Sequence, residues 1–315
     1  MAKTPKTSTA PRADVYQRIT DLIVTQLDQG TRPWMQPWGA GGSPVRPLRH
    51  NGVPYRGINT LLLWMTAAER GFVSPFWMTY KQAQELGGQV RKAEKSTLVV
   101  YAGAIEKQEE DANGAQAERR IPFMKGYSVF CADQIDDLPE HFYVKAEAPD
   151  SAETKERIAR VDAYFNHTGA DIREGGNKAF YSPIGDYIQM PPFSAFVSAE
   201  AFSTTLGHEA IHWTASRVGR DLSRYAKDNS ERAREELVAE LGSVFFAADL
   251  GLEIEPRDDH VAYIKSWVAV LKNDKRAIFQ AASLAEKALT YLHGLQPDGF
   301  SAMPFPSSDE LSEAA

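Results

Sequence analysis

Leu206-Gly207-His208-Glu209-Ala210-Ile211-His212-Trp213-Thr214 is the most informative run in this chain of 315 residues. Two histidines four positions apart lie on one face of an α-helix, so both imidazoles can reach one metal ion. Glu209 follows the first and can project toward the water that such an ion activates, where a general base is needed. This is the H-E-x-x-H pattern of zinc peptidases. The flanks Phe202, Leu206, Ala210, Ile211 and Trp213 are apolar and suit a buried helix. A pair of ordinary surface histidines is the competing reading, and those flanks argue against it.

A catalytic zinc takes three protein ligands and leaves one position open. The third is expected from the helix that follows, at Arg234-Glu235-Glu236-Leu237-Val238-Ala239-Glu240-Leu241. Glu236 and Glu240 share a face at i, i+4, with Glu235 rotated away. The reading assigns His208, His212 and Glu236 as ligands and Glu209 as the catalytic base. Glu240 is then expected to accept a hydrogen bond from a liganding imidazole and fix its tautomer. Two histidines and a carboxylate suit Zn2+ but also accept Mn2+ or another first-row divalent ion. The oxyanion of a peptide hydrolysis needs a further donor, for which His260, Tyr263, Tyr225 and Tyr187 are unranked candidates.

Upstream, Ala179 to Pro183 and Asp186 to Pro192 read as two short strands around Ile184-Gly185-Asp186, where Gly-Asp is a hairpin signal. Pro191 and Pro192 suggest that the second is an edge, where an extended peptide could add by main-chain bonds.

Composition bounds the rest. Hydrophobic content of 43% and charged content of 24% are those of a soluble globular protein. The single cysteine, Cys131, excludes an intramolecular disulfide and suggests a reducing compartment. No apolar run has membrane-spanning length, and Met1 to Arg12 has no apolar stretch, so a cytoplasmic location with no membrane partner is expected. Net charge is −7, but residues 1–132 carry 17 Lys+Arg against 11 Asp+Glu, while residues 133–315 carry 18 against 31. A basic first half is compatible with nucleic-acid binding.

The fold class read from these patterns is α+β in two domains. Residues 1–13 form a flexible basic arm, 14–143 an α+β domain, 144–151 a linker, 152–295 a mainly helical domain with a small antiparallel sheet, and 296–315 a disordered tail. Helices are expected at Asp14 to Gln29, Thr60 to Arg70 capped by Asn59, Trp77 to Leu86, 152–166, His260 to Lys272 and Lys275 to Leu292. Strands are expected at Ser96 to Ile105 and Ile121 to Cys131, with Glu106 to Arg120 a mobile loop between them. Asp133 to Asp150 reads as an acidic connection.

The first half interleaves aromatic and basic residues, as proteins that bind single strands do: rings stack on free base faces and cations track phosphates. Trp64 lies in an apolar helix and reads as core. The residues expected to meet DNA are Trp34, Trp38, Arg46, Arg49, Tyr55, Arg56, Asn59, Lys92 and Lys95.

Tyr55-Arg56-Gly57-Ile58-Asn59, followed by Leu61-Leu62-Leu63-Trp64, resembles the signature of ArdC-type antirestriction proteins, a module shared with TraC-type conjugative primases. Trp77 to Ala83, Val90 to Ser96, Val129 to Gln134, His208 to His212 and Glu235 to Gly242 resemble further segments of that family, so the likeness covers roughly residues 14–292. It implies a single-strand-DNA-binding domain joined to a zincin-like domain, and protection of incoming plasmid or phage DNA from restriction. Two positions depart from the family pattern: Ala93 stands where glycine is usual, which disfavours a left-handed turn, and Cys131 where asparagine is usual. Three functions stay open: an antirestriction protein that coats single-stranded DNA, a protease acting on a host restriction component or other protein, and a DNA-binding protein with a structural metal.

Overall fold

The structure is a computed structural model describing residues 14–34, 45–110, 116–143, 151–254, 261–297 and 300. The expected arm, residues 144–150 of the linker and most of the expected tail lie outside the described residues, as do Trp38 and His260.

In the first half, α1 (Val15–Asp28) starts at Asp14, whose carboxylate accepts the Tyr16 N–H at 3.0 Å. β1 (Leu48–Arg49) leads to α2 (Ile58–Arg70), which ends at left-handed Gly71. The segment from Trp77 to Leu86 is not one helix. Phe76–Met78 is a strand, β2, and only Tyr80–Glu85 (α3) is helical. Thr79 sets that boundary: its hydroxyl accepts the Gln82 N–H and the Gln82 side chain accepts the Thr79 N–H, a reciprocal capping box.

β3 (Gln89–Val90) precedes the long hairpin of β4 (Thr97–Glu110) and β5 (Gln116–Cys131). The expected loop from Glu106 to Arg120 is mostly ladder, with Glu106 opposite Arg120 and Glu110 opposite Gln116. A two-stranded ribbon needs only backbone bonds and compatible opposed residues, so apolar alternation missed it. The sheet order is β1-β2-β5-β4. β6 (Ile135–Asp136) pairs with β3. The start of the supposed acidic connection is therefore folded. Asp133 accepts the Val73 and Ser74 N–H groups at 2.6 and 2.9 Å, and Phe142 is buried.

The second half comprises α4 (Ser151–Thr168), β7 (Asp171–Glu174), β8 (Phe180–Ser182), β9 (Tyr187–Met190), α5 (Ala199–Trp213), α6 (Asn229–Leu250), α7 (Val261–Asn273) and α8 (Ala277–Gly294). The β8–β9 hairpin is present. β7 joins β9 in parallel, so the sheet is mixed rather than antiparallel, in the order β7-β9-β8. β9 is thus central and β8 an edge, reversing the reading of Pro191 and Pro192. Those prolines follow the strand and cost it no ladder bond. No helix among the described residues is long and apolar enough to cross a membrane.

The molecule is α+β with two parts, but one apolar cluster runs through both. Ile23 and Leu27 of α1 and Leu61 and Trp64 of α2 pack with residues of α5 to α8. Tyr16 meets Phe279 at 4.7 Å between ring centroids, and the Thr20 hydroxyl donates to the Lys275 carbonyl at 2.8 Å. A buried charge cluster adds to this. Arg46 donates to both Asp249 oxygens at 2.8 and 2.9 Å and to Glu286 at 3.1 Å, with its guanidinium 4.5 Å from the Phe245 ring centroid.

Candidate metal centre

The site is built where α5 packs against α6. Ser198 caps α5 by accepting the Ala201 N–H, and Asp228 caps α6 by accepting from Ser230 and Glu231. Two glycines let the helices approach. A Cβ on Gly207 would stand 2.7 Å from the Phe246 ring, and one on Gly242 would stand 2.7 Å from Ile211. That contact brings the start of α6 beneath the histidines of α5.

His208, His212 and Glu236 each offer a ligand atom, all within 4.8 Å of one another and all buried. His208 Nε2 is 3.5 Å from Glu236 Oε2, and His212 Nε2 is 3.8 Å from Oε1. Ligands at roughly 2.0–2.2 Å from a tetrahedral ion stand about 3.4 Å apart, so the donor set fits a divalent cation with little movement. Burial disfavours the imidazolium of His212, but its bond to Glu235 and the charge of Glu236 outweigh that and hold it up at about 9. Burial would raise Glu236, yet the bond to His208 and the His212 charge draw it down to about 2. Each group is poised toward the charge state of a histidine–carboxylate cluster, and a divalent ion would take the place of the His212 proton.

The supporting carboxylate is Glu235, not Glu240. His212 Nδ1 is 3.0 Å from Glu235 Oε1, which also accepts from Arg220 Nη2 at 3.1 Å. Arg220 in turn donates to the Ile211 carbonyl and to the Thr214 hydroxyl. Glu240 lies one turn further along α6 and accepts from Arg32 at 2.9 Å and from the Trp34 indole at 3.2 Å. Helical spacing from Glu236 pointed to Glu240. α6 packs antiparallel along α5, with Gly207 against Phe246 and Gly242 against Ile211, and in that register it is Glu235, the ligand's neighbour in sequence, that meets the outer nitrogen of His212.

His208, His212, Glu236 and Glu209 open on a cavity of about 210 Å³, also lined by Phe180 and Tyr181 of β8, Tyr225 and Tyr263. Tyr225 donates to Glu236 Oε1. Burial and the Glu236 carboxylate push its hydroxyl above the usual phenol range. Tyr187 is not on the cavity wall. It packs against Phe180, with Arg173 over its ring at 4.0 Å.

The residues expected to meet DNA separate into two groups. Trp34, Arg46 and Tyr55, contrary to the expectation, are buried and out of reach of DNA. Trp34 and Arg46 are spent on α6 carboxylates, and Tyr55 sits in a small core with Trp77 and Val129. Asn59 does not cap α2, which starts after Gly57 at φ 56. Its amide both donates to the Val100 carbonyl and accepts the Val100 N–H, each at 2.8 Å, closing the outer edge of β4. Arg49, Arg56, Lys92 and Lys95 are exposed. The last two flank Ala93, which adopts the left-handed conformation at φ 70 that the sequence disfavours.

A two-histidine helix, a carboxylate from the next long helix and a small sheet whose edge strand borders the cavity define a zincin-like metallopeptidase fold. Residues 159–284 match the zincin-like metallopeptidase family MPTase-PolyVal, and residues 13–130 match the N-terminal domain of anti-restriction factor ArdC. The chain belongs to the ArdC family of antirestriction proteins. It is similar to the antirestriction ArdC protein from the R388 plasmid, at 46% identity over 90% of this chain and 97% of the metal-free crystal structure, with a TM-score of 0.75. The Mn(II)-bound structure of that protein aligns with a TM-score of 0.73 at the same identity, over 90% of this chain and 98% of that one. The uncharacterized protein y4eC of Sinorhizobium fredii (strain NBRC 101917 / NGR234) is 38% identical over 94% of this chain and 95% of its own length. DNA primase TraC of Escherichia coli is 36% identical over 86% of this chain, which spans only 26% of that primase.

Proposed function

We propose that this chain is an antirestriction protein of a mobile element that binds single-stranded DNA through its basic first half and hydrolyses a peptide bond at its metal centre. His208, His212 and Glu236 would hold the ion, with zinc the first choice and manganese the alternative raised by the R388 relative. Such an ion supplies Lewis acidity and lowers the pKa of water at the site toward neutrality. Glu209 is then the base that takes the proton of the attacking water and returns it to the leaving amine. Tyr225 and Tyr263 stand on the wall where a donor to the carbonyl oxygen is needed. The edge strand β8 offers its backbone to an extended peptide.

The observation that carries this reading is the convergence of three buried ligand atoms beside a cavity that Glu209 also lines. A closed, purely structural metal site would need no such space. Glu209→Gln tests it. The variant should keep its metal and its DNA binding while losing hydrolysis of casein or of a peptide library. Hydrolysis at the wild-type rate would remove Glu209 from the mechanism. A restriction assay on the same variant divides the functions: protection that survives the change does not depend on proteolysis, whereas loss of protection makes the host protein the target.

A further inference from the structure

Trp34 and Tyr55, expected to stack on bases, are in the core, yet the four-stranded sheet offers other rings. Its register sets Tyr101 of β4 opposite Lys125 of β5, and Val99 opposite Tyr127. Opposed residues of an antiparallel pair share a face, as do residues two apart on one strand. Tyr101, Lys125 and Tyr127 are therefore neighbours on one face, with the two tyrosines diagonal at roughly 7–8 Å. The same parity runs through Cys131 opposite Trp77 and Trp77 beside Arg49, so Arg49 belongs to that face as well.

This face is core at its base. Val99, Val129, Trp77 and Cys131 pack there with Tyr55 and with Leu63 of α2. Further along the hairpin the cover ends. Tyr101 is 57% exposed and Tyr127 46%, and Lys125 between them is exposed too. Arg49 is exposed with its guanidinium 5.3 Å from the Tyr55 ring centroid. The opposite face packs on the main apolar cluster: Val100 is buried in it and Leu98 lies against it. The ribbon that carries the two rings is thereby held against the body of the protein.

Exposed aromatic rings on a braced sheet, with a cation beside them, suit a ligand that has bare aromatic faces and a polyanionic backbone. We propose that single-stranded DNA lies across this face, with Tyr101 and Tyr127 stacking on bases and Lys125 and Arg49 meeting phosphates. The inference rests on the single-strand reading above and supplies its contact surface. Duplex DNA, whose base faces are hidden, is the wrong shape for it. The net positive charge of residues 1–132 favours a polyanion over an acidic second copy of this chain.

The test is fluorescence anisotropy of the full chain with labelled oligothymidylate. Tyr101→Ala and Tyr127→Ala should each weaken binding about tenfold, and Tyr→Phe at both positions should bind nearly as the wild type, because the ring carries the contact. Lys125→Ala should lower the slope of log affinity against log salt by about 0.7. Melting temperature and metal content, unchanged in every variant, show that the fold is intact. If the wild type binds and the folded double alanine variant binds equally well, this surface is wrong while the single-strand reading stands. If the wild type does not bind, both fall. If the double variant loses self-association on sedimentation but keeps DNA affinity, the face joins copies of the chain and the proposal is overturned. Equal loss of duplex and single-strand affinity would refute the stacking.

Discussion

Glu236 and Glu240 sit one turn apart on α6, in nearly the same sequence surroundings, and do different things. Glu236 faces two histidines on the adjoining helix, whose spacing is visible in five consecutive letters. Glu240 faces Arg32 and Trp34, more than 200 positions away along the chain. The candidate metal centre is thus written mostly in local spacing, and the seam between the two halves of the protein in long-range pairing. The contrast explains why residues of the type that binds DNA were found buried: Arg46 and Trp34 neutralise or satisfy carboxylates of the same helix that carries the metal ligand.

The largest effect is expected at that seam. Asp249→Ala leaves the buried Arg46 without its main partner, and breaking a buried pair in this way costs about 3–5 kcal/mol. Urea denaturation measures it. A loss below about 1 kcal/mol would mean that the pair does not join the halves. Next is Glu235→Gln, which weakens the support of His212 and should reduce metal affinity by roughly 10- to 100-fold. Glu240→Gln should change it little, because that side chain serves Arg32 and Trp34. Equal effects would erase the distinction drawn here between neighbouring carboxylates.

The pH response sharpens the same point. His212 is raised to about 9 in the ion-free chain, so metal must displace a proton there. Apparent affinity should fall as pH drops below about 9, by roughly tenfold per unit for one displaced proton. The stability that the His212 cluster gives the ion-free chain has the opposite trend: it is full below the unfolded value of about 6.5 and is lost as pH rises through about 9. Calorimetry in buffers of different ionisation heat reads the proton release directly. The smallest effect lies at the turn between Lys92 and Lys95. Ala93 is held at φ 70, so Ala93→Gly should stabilise the chain by about 1 kcal/mol, seen as a higher melting temperature.

What could be read from the sequence follows the same division. His208, Glu209, His212 and Glu236 were legible because helical periodicity fixes which side chains share a face, and the site needs only two helices in contact. Glu235 is legible as a residue but not as a partner, since its role depends on the register in which α6 packs against α5, with Gly207 against Phe246 and Gly242 against Ile211. The β4–β5 ribbon was cut short because its outer part is polar and shows no alternation. Apolar spacing draws Trp77 into the helix, whereas the capping pair of Thr79 and Gln82 starts α3 only at Tyr80. The mixed order of the small sheet depends on β7, whose parallel partner is the second strand of the β8–β9 hairpin, a pairing that leaves no short-range signal.

Elemental analysis of the purified chain, beside Glu236→Ala and Glu240→Gln, tests the central claim most directly. The wild type and Glu240→Gln should each carry one divalent ion per chain, and Glu236→Ala should carry none after dialysis. Equal metal in Glu236→Ala, or loss of metal in Glu240→Gln with the fold preserved, would contradict a centre assembled from His208, His212 and Glu236.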